Sequence, residues 1–469
     1  MHEKDPGLAE IQDVSTGSET LSLWDDYSPC SALPPELLSV IFQLAKPKKR
    51  VSHKIPFEVT VSHVSKFWRA TALSTPFLWD RIDIYSTRAK KWLNEYLERS
   101  SRRPLDIYID IYRSDKRRSK PLNGYELIIN SIPLHLERIR LFSMLCYHRT
   151  TAVYWQSLFR DMRAPILQTF RVACRLQSSI VPPFATVFEG GSQQLTLWNT
   201  DTPNILPPPQ TLRNLTTLYL HGFNPSLPFT ADDFNQIFIS LPSIVNLSLK
   251  STGSFDFWLT DPPQTSQFTF DKLKSLRFIA TGPLAIHMLL AASAPQLETL
   301  WLECSFVHFP TYLFGAPQLN VNGVPKFPKL KYLTMVTDNF VFSNEFARIF
   351  PTVSHIHFTY PFFRDIHRLV QAFSLPRWAS LRSLVFSQFY EEGAHQLNTA
   401  LCQILPQRCQ AMHPLETILV DKDHMRWLKA VVPEEESLLS SLVKIELLST
   451  DNYDEYWWNV FERDQQKSN

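Results

Sequence analysis

Two histidines stand two residues apart in HIHF, His355 and His357. On a strand that spacing turns both imidazoles to one face, where ring nitrogens could seat a metal ion. A metal centre needs further ligands and none follows at a clear spacing, so the pair reads as two solvent-facing side chains. Six cysteines, at 30, 146, 174, 304, 402 and 409, are scattered with no Cys-x-x-Cys pair, and Cys402 and Cys409 read as core or helix-face thiols. The chain contains no Gly-x-Gly-x-x-Gly, no Walker loop, no His-Glu-x-x-His and no Gly-x-Ser-x-Gly. Phosphate-cradling loops and nucleophile elbows are built from glycine, and only 11 glycines stand against 34 prolines. An enzyme is the last reading, and no cofactor is implied. What remains is the chemistry of recognition, carried by arginine, lysine, histidine and aromatic side chains.

Composition narrows the partners. With 469 residues, 44% hydrophobic and 20% charged, the chain can bury a large core in two or three domains. A net charge of +2 favours neither nucleic acid nor a membrane surface, and no apolar run approaches the roughly 18 residues that span a bilayer. Without a signal-peptide pattern the thiols are expected to be reduced, in the cytoplasm or nucleus, and the sequons at Asn214 and Asn246 read as chance. The basic runs KPKKR (46–50) and KRRSK (116–120) read as solvated loops, with nuclear import or phosphate contact as the alternatives. Residues 1–31 are acidic with few apolar positions and read as a disordered tail.

The elements that would position recognition residues repeat. The pattern apolar-x-x-apolar-x-x-apolar-x-apolar recurs in APILQTFRV (164–172), LRNLTTLYL (212–220), LPSIVNLSL (241–249) and FDKLKSLRF (270–278). It continues in APQLETLWL (294–302), FPKLKYLTM (327–335), FPTVSHIHF (350–358) and WASLRSLVF (378–386), and closes with MHPLETILV (412–420) and LSSLVKIEL (439–447). Weaker copies are PLHLERIRL (133–141) and GSQQLTLW (191–198), and the mean period is about 28 residues. Each copy predicts a turn leading into a short parallel strand, and no copy buries its apolar face alone, so neighbours must stack. The pattern resembles a leucine-rich repeat. The asparagine of the standard repeat is replaced, for example by Thr252, Thr281, Ser305, Asp338, Asp423 and Thr450, so irregular curvature is expected.

Ahead of the repeats lies LPPELLSVIF (33–42), a helix apolar on two stripes: Leu37, Ile41 and Leu44 on one, Leu38, Phe42 and Ala45 on the other. A helix packed on one surface needs one stripe, so the second calls for a large core or a partner. Then come VSHVSKFWR (61–69) and STPFLWDRI (74–82), a helical pattern at 87–100 and an alternating strand at 104–112. The three blocks before the repeats resemble an F-box, closest to the large F-box families of mushroom-forming fungi. The likeness covers about fifty residues: Leu33, Pro34 and Glu36, the apolar Leu37, Leu38, Ile41 and Phe42, then Val64, Ser65 and Trp68, with Ser65 standing where that family often has cysteine.

The expected fold is therefore an α/β solenoid: an irregular leucine-rich-repeat array preceded by a small all-α F-box domain. Its parts are the tail (1–31), the F-box domain (32–81), first repeat-like units with a basic loop (82–132), and repeats with a C-terminal cap (133–469). The resemblance implies a non-catalytic substrate receptor of a Skp–cullin–F-box ubiquitin ligase. Leu33, Pro34, Leu37, Leu38, Ile41, Phe42, Val64 and Trp68 would dock the Skp adaptor, and through it a cullin. The alternative is a repeat module that binds protein outside a ligase, with 33–81 as a cap. Strand positions that flank and separate the core residues should face a concave surface. They nominate Arg138, Arg140, Arg171, Trp198, Tyr219, His221, Lys250, Arg277, Trp301, Glu303, Tyr332, His355 and His357 as substrate-binding. Arginines beside aromatics suit an acidic or phosphorylated protein segment.

Overall fold

A computed structural model describes residues 33–47, 55–85, 89, 91–110, 126–148, 154–176, 185–201, 205–223, 236–251, 268–279, 289, 291–303, 320–321, 324–336, 350–359, 373, 378–387, 391–423, 425–426 and 433–448. The acidic segment 1–31, the basic run 116–120 and the aromatic pair Trp457 and Trp458 lie outside them, as do all the replaced asparagine positions except Asp423. The chain divides into two compact units, Met1–Asp106 and Ile107–Asn469.

The first unit is mainly helical. Helix α1 (Pro35–Ala45) starts with a proline in its first turn, where no N–H is needed, and Glu36 at the positive end of its dipole. Helix α2 (Phe57–Ser62) leads to α3 (Lys66–Leu73), which begins where the Ser65 hydroxyl accepts the Trp68 N–H at 3.2 Å. Ser65 is thus a helix cap. Phe42 of α1 meets the Trp68 ring edge-on at 5.1 Å. A 3-10 turn, Pro76–Trp79, buries Trp79, whose indole N–H donates to the Ala72 carbonyl at 2.9 Å. Strand β1 (Arg81–Ile84) and helix α4 (Leu93–Arg99) follow, and the Tyr96 hydroxyl of α4 donates to the buried Glu58 carboxylate of α2. Lys46, read above as part of a solvated basic run, turns inward instead. Its ammonium lies 2.8 Å from Asp80 and donates to the Phe77 carbonyl at 2.7 Å, tying the end of α1 to the turn.

Fourteen strands form one sheet whose order follows the chain. After β1 they are β2 (Leu105–Asp110), β3 (Ile139–His148), β4 (Thr169–Leu176), β5 (Leu197–Thr200), β6 (Thr217–Phe223), β7 (Asn246–Ser251) and β8 (Ser275–Ile279). Then come β9 (Thr299–Glu303), β10 (Tyr332–Val336), β11 (His355–Thr359), β12 (Ser383–Ser387), β13 (Thr417–Val420) and β14 (Lys444–Leu447). From β3 to β14 each strand pairs in parallel with the next, giving an α/β solenoid-like ladder with short helices between rungs.

The repeating pattern has a direct structural meaning. Its first two apolar residues close a turn, the N–H of the second donating to the carbonyl of the first at 3.0–3.4 Å. That bond recurs at Ala164–Leu167, Leu212–Leu215, Leu241–Ile244, Phe270–Leu273, Ala294–Leu297, Phe327–Leu330, Phe350–Val353 and Trp378–Leu381. The last two apolar residues enter the core from the strand, as Leu276 and Phe278 do on β8, with Leu300 and Leu302 beside them on β9.

The weak copy at 133–141 is framed differently from expectation. Phe142 and Met144 are the core positions of β3, because Phe142 pairs in register with Phe170 and stacks on it at 5.5 Å, edge-on to Phe159 at 5.1 Å. Trp198, nominated for the surface, joins the same aromatic core, 4.6 Å from Phe170. Near the end of the ladder the helix Glu391–Gln410 sends Arg408 inward, where its guanidinium donates to the carbonyls of Phe373, Trp378 and Leu381 at 3.0–3.2 Å.

Candidate functional site

Two places carry the nominated residues, one in each unit. In the first unit, α1 sorts its two apolar stripes. Leu38 and Phe42 are each 1% exposed, so they hold the helix to its own unit and cannot meet a partner, which corrects the docking role expected of them. The other stripe stays outside: Leu37 is 53% exposed, Val40 49%, Ile41 44% and Leu44 82%. Val64 and Pro34 are exposed, whereas Leu33 and Trp68 are half-buried and Trp68 packs on Phe42. Val40 was not nominated, though its place three residues after Leu37 was a readable signal.

In the second unit, strand register brings Arg171, Tyr219, Arg277, Trp301 and His357 into one row on the sheet face opposite the core. The row runs from Arg171 through Asn199, Tyr219, Ser248, Arg277, Trp301, Thr334, His357, Val385 and Leu419 to Glu446. Lys250 lies in the flanking row with His221, and Tyr332 and His355 lie in the flanking row on the other side, their rings 4.7 Å apart. Arg138 ends the turn Pro133–Arg138, and Arg140 precedes the first β3–β4 register pair at Leu141, so both stand outside these rows.

Burial divides the nominees. Tyr219, His221, Arg277, Trp301 and His357 are buried, so the expectation of an open surface at these positions is corrected. Arg138, Arg140, Arg171, Lys250, Glu303, Tyr332 and His355 are half-buried and keep solvent access. Neighbouring strands explain part of the closure: the Arg277 guanidinium lies 4.2 Å over the Trp301 ring, and Trp301, Val385, Leu419 and Leu448 form an apolar cluster with Val336 against it.

The two histidines that opened the sequence reading part ways. His357 Nε2 is 2.8 Å from the Ser387 hydroxyl and 3.2 Å from that of Thr359, and burial pushes its pKa down to about 3, keeping the ring neutral. His355 Nδ1 meets the Ser354 hydroxyl at 2.7 Å, and burial lowers its pKa as well. Among the described residues no group of three or more His, Cys, Asp or Glu side chains could hold a metal ion.

One polar trio escaped the sequence reading. His221 on β6 places Nε2 3.1 Å from the Ser248 hydroxyl on β7 and Nδ1 3.5 Å from Asp201 after β5, while Asp201 also accepts the Cys174 N–H at 2.7 Å. Burial lowers the His221 pKa, and the Asp201 hydrogen bond opposes that shift. The order of groups could relay a proton, but Ser248 is fully buried, so no substrate carbonyl reaches its oxygen in this arrangement and the trio ties rungs together. No spacing in the sequence marks it, because its members come from three different repeats.

Among the described residues no helix is long and apolar enough to cross a membrane. Comparison with protein-family models and with curated proteins gives no match for the chain.

Proposed function

We propose that the chain is a non-catalytic substrate receptor of a Skp–cullin–F-box ubiquitin ligase. In this reading α1 and its neighbours act as the F-box that docks the Skp adaptor, and the ladder, a variant leucine-rich-repeat array, holds a protein substrate. The observation that carries it is the outer stripe of α1, four large aliphatic side chains in water on a helix whose opposite stripe is locked inside. Single exposed apolar residues are ordinary, but four on one helix face suit a partner's apolar groove. The protein would then act by proximity, raising the effective concentration of a substrate lysine near the charged conjugating enzyme. The half-buried Arg138, Arg140, Arg171, Lys250, Glu303, Tyr332 and His355 would offer substrate contact on the ladder, with an acidic or phosphorylated segment favoured by the cations among them.

The test is direct. Purified full-length chain is mixed with recombinant Skp adaptor, and complex formation is followed by size-exclusion chromatography and calorimetry. A stable one-to-one complex supports the reading, and no complex at tens of micromolar overturns it.

A further inference from the structure

Burial along the strands separates two stretches of the sheet. β2 and β5 alternate between buried and half-buried positions, as strands with one covered face do. β8 and β12 are buried at all five positions, and β9, β10, β11 and β13 at all but one or two. Neighbours in a row stand beside a side chain and not above it, so a strand buried at every position has a layer over both faces. Beside Val385 its own strand offers only Ser383 and Ser387 on that face, yet Val385 is 2% exposed.

The cover is apolar. Trp301, Val385, Leu419 and Leu448 share one buried cluster. Trp301 and Val385 stand three strands apart, about 14 Å at the spacing of paired strands, with Thr334 and His357 between them. Apolar side chains touch within about 4.5 Å, so an apolar body laid across the row must join them. Charge does not choose that body: on this face, at the strands or just after them, Arg171, Lys250, Arg277 and Lys444 are matched by Asp201, Glu303, Asp421 and Glu446.

The chain itself supplies a fitting body. β14 is the last strand in the sheet order, and the Leu448 N–H continues its pairing by donating to the Val420 carbonyl at 2.7 Å. Alternation after Glu446 puts Leu448 on the covered face, where it joins the cluster, so the chain leaves the ladder on that side. TDNYDEYWWNVF (450–461) follows, with Tyr453, Tyr456, Trp457, Trp458, Val460 and Phe461. From Leu448 back to Trp301 is five strands, about 24 Å, and residues 449–457 can span about 30 Å. A segment between two rungs is tied at both ends to adjacent strands, whereas this one has no later described rung to return to.

We propose that segment 453–461 packs across the face of β9–β13, with its aromatic rings over the row from Trp301 to Leu419. The proposal does not depend on the ligase reading. A partner bound for the central row would have to displace this segment first.

The experiment footprints full-length protein with hydroxyl radicals and reads oxidation by peptide mass spectrometry. In the parent, Trp301 should be protected at every protein concentration. With Trp457→Ser and Trp458→Ser together its oxidation should rise severalfold, while Trp378, fully buried in the turn before β12, stays protected. A second measurement serves if that variant loses its fold: p-benzoylphenylalanine is placed at position 458 of the otherwise unchanged chain and irradiated. The crosslink should fall on Thr334, His357, Val385 or a residue beside them. The proposal is overturned if Trp301 is oxidised freely in the parent, or if it stays protected in the folded double variant, which would assign the cover to another segment. It is equally overturned if protection fades on dilution, which would assign the cover to a second copy, or if the crosslinks fall only outside β9–β13.

Discussion

Replacing Leu37 by aspartate places a carboxylate in the outer stripe of α1 without touching the inner one. Leu37 is the third residue of the helix, close to the positive end of its dipole, so an acid there is tolerated or slightly favourable to folding. Its side chain is 53% exposed, and the unit gives up little packing when it changes. In a complex the balance differs. Burying a leucine against a partner contributes about 1.5–3 kcal/mol, and an unpaired carboxylate in the same apolar contact adds a desolvation penalty. The sum is at least about 3 kcal/mol, a loss of more than a hundredfold in adaptor affinity. The mirror experiment is Leu38→Ala, one position along the same helix. Leu38 is 1% exposed, and truncating a buried leucine costs about 2–5 kcal/mol of stability. Calorimetry gives affinity for both variants, and urea unfolding of the first unit's helical signal gives stability. The reasoning requires Leu37→Asp to lose binding at unchanged stability, and Leu38→Ala to lose stability first. A folded Leu37→Asp variant that binds the adaptor like the parent refutes the assignment of this face.

Arg408→Met should destabilise the end of the ladder by at least about 3 kcal/mol in urea unfolding, since three carbonyls lose a charged donor, and Arg408→Lys should not rescue it because one ammonium cannot span the three acceptors. Lys46→Ala should cost about 1–2 kcal/mol in thermal or urea unfolding of the first unit, because it removes both the Asp80 ion pair and the bond to the Phe77 carbonyl. His357 has a folded pKa depressed to about 3 against 6.5 unfolded, so the unfolded state binds the extra proton: its contribution is intact above pH 6.5 and is lost at up to about 1.4 kcal/mol per pH unit as pH falls towards 3. The difference in unfolding free energy between the parent and His357→Gln, measured from pH 7 to pH 4.5, should show that slope, and a flat difference would mean the ring is not held neutral.

The ladder was legible because its spacing has one geometrical solution. Two residues between the first apolar positions make a turn closed by one hydrogen bond, and one residue between the last two makes a strand with alternate side chains inside. Leu273, Leu276 and Phe278 could hardly be arranged otherwise. Where the string offered two solutions it failed. PLHLERIRLFSM fits the pattern in two frames, and only the stacking of Phe142 on Phe170 chooses between them. LPPELLSVIF has two stripes of similar apolarity, and nothing within ten residues says that Leu38 and Phe42 go in while Leu37 and Ile41 stay out. That choice belongs to Trp68 and to Lys46 bonding across to Asp80. Side of the sheet was readable for Arg277, Trp301 and His357, but openness was not. Alternation says which way a side chain points and is silent on what its neighbours in the next rungs place beside it.

If the ladder holds a protein substrate as proposed, that distinction decides where on it recognition can occur. A residue contributes to encounter with a macromolecule only if water reaches it beforehand, and in the central row the closed stretch runs from Tyr219 to Leu419. Encounter must therefore fall to the half-buried flanks, where Lys250 stands on one side and Tyr332 with His355 on the other. A net charge of +2 over the whole chain gives weak long-range steering, so these local groups rather than the overall field select the partner.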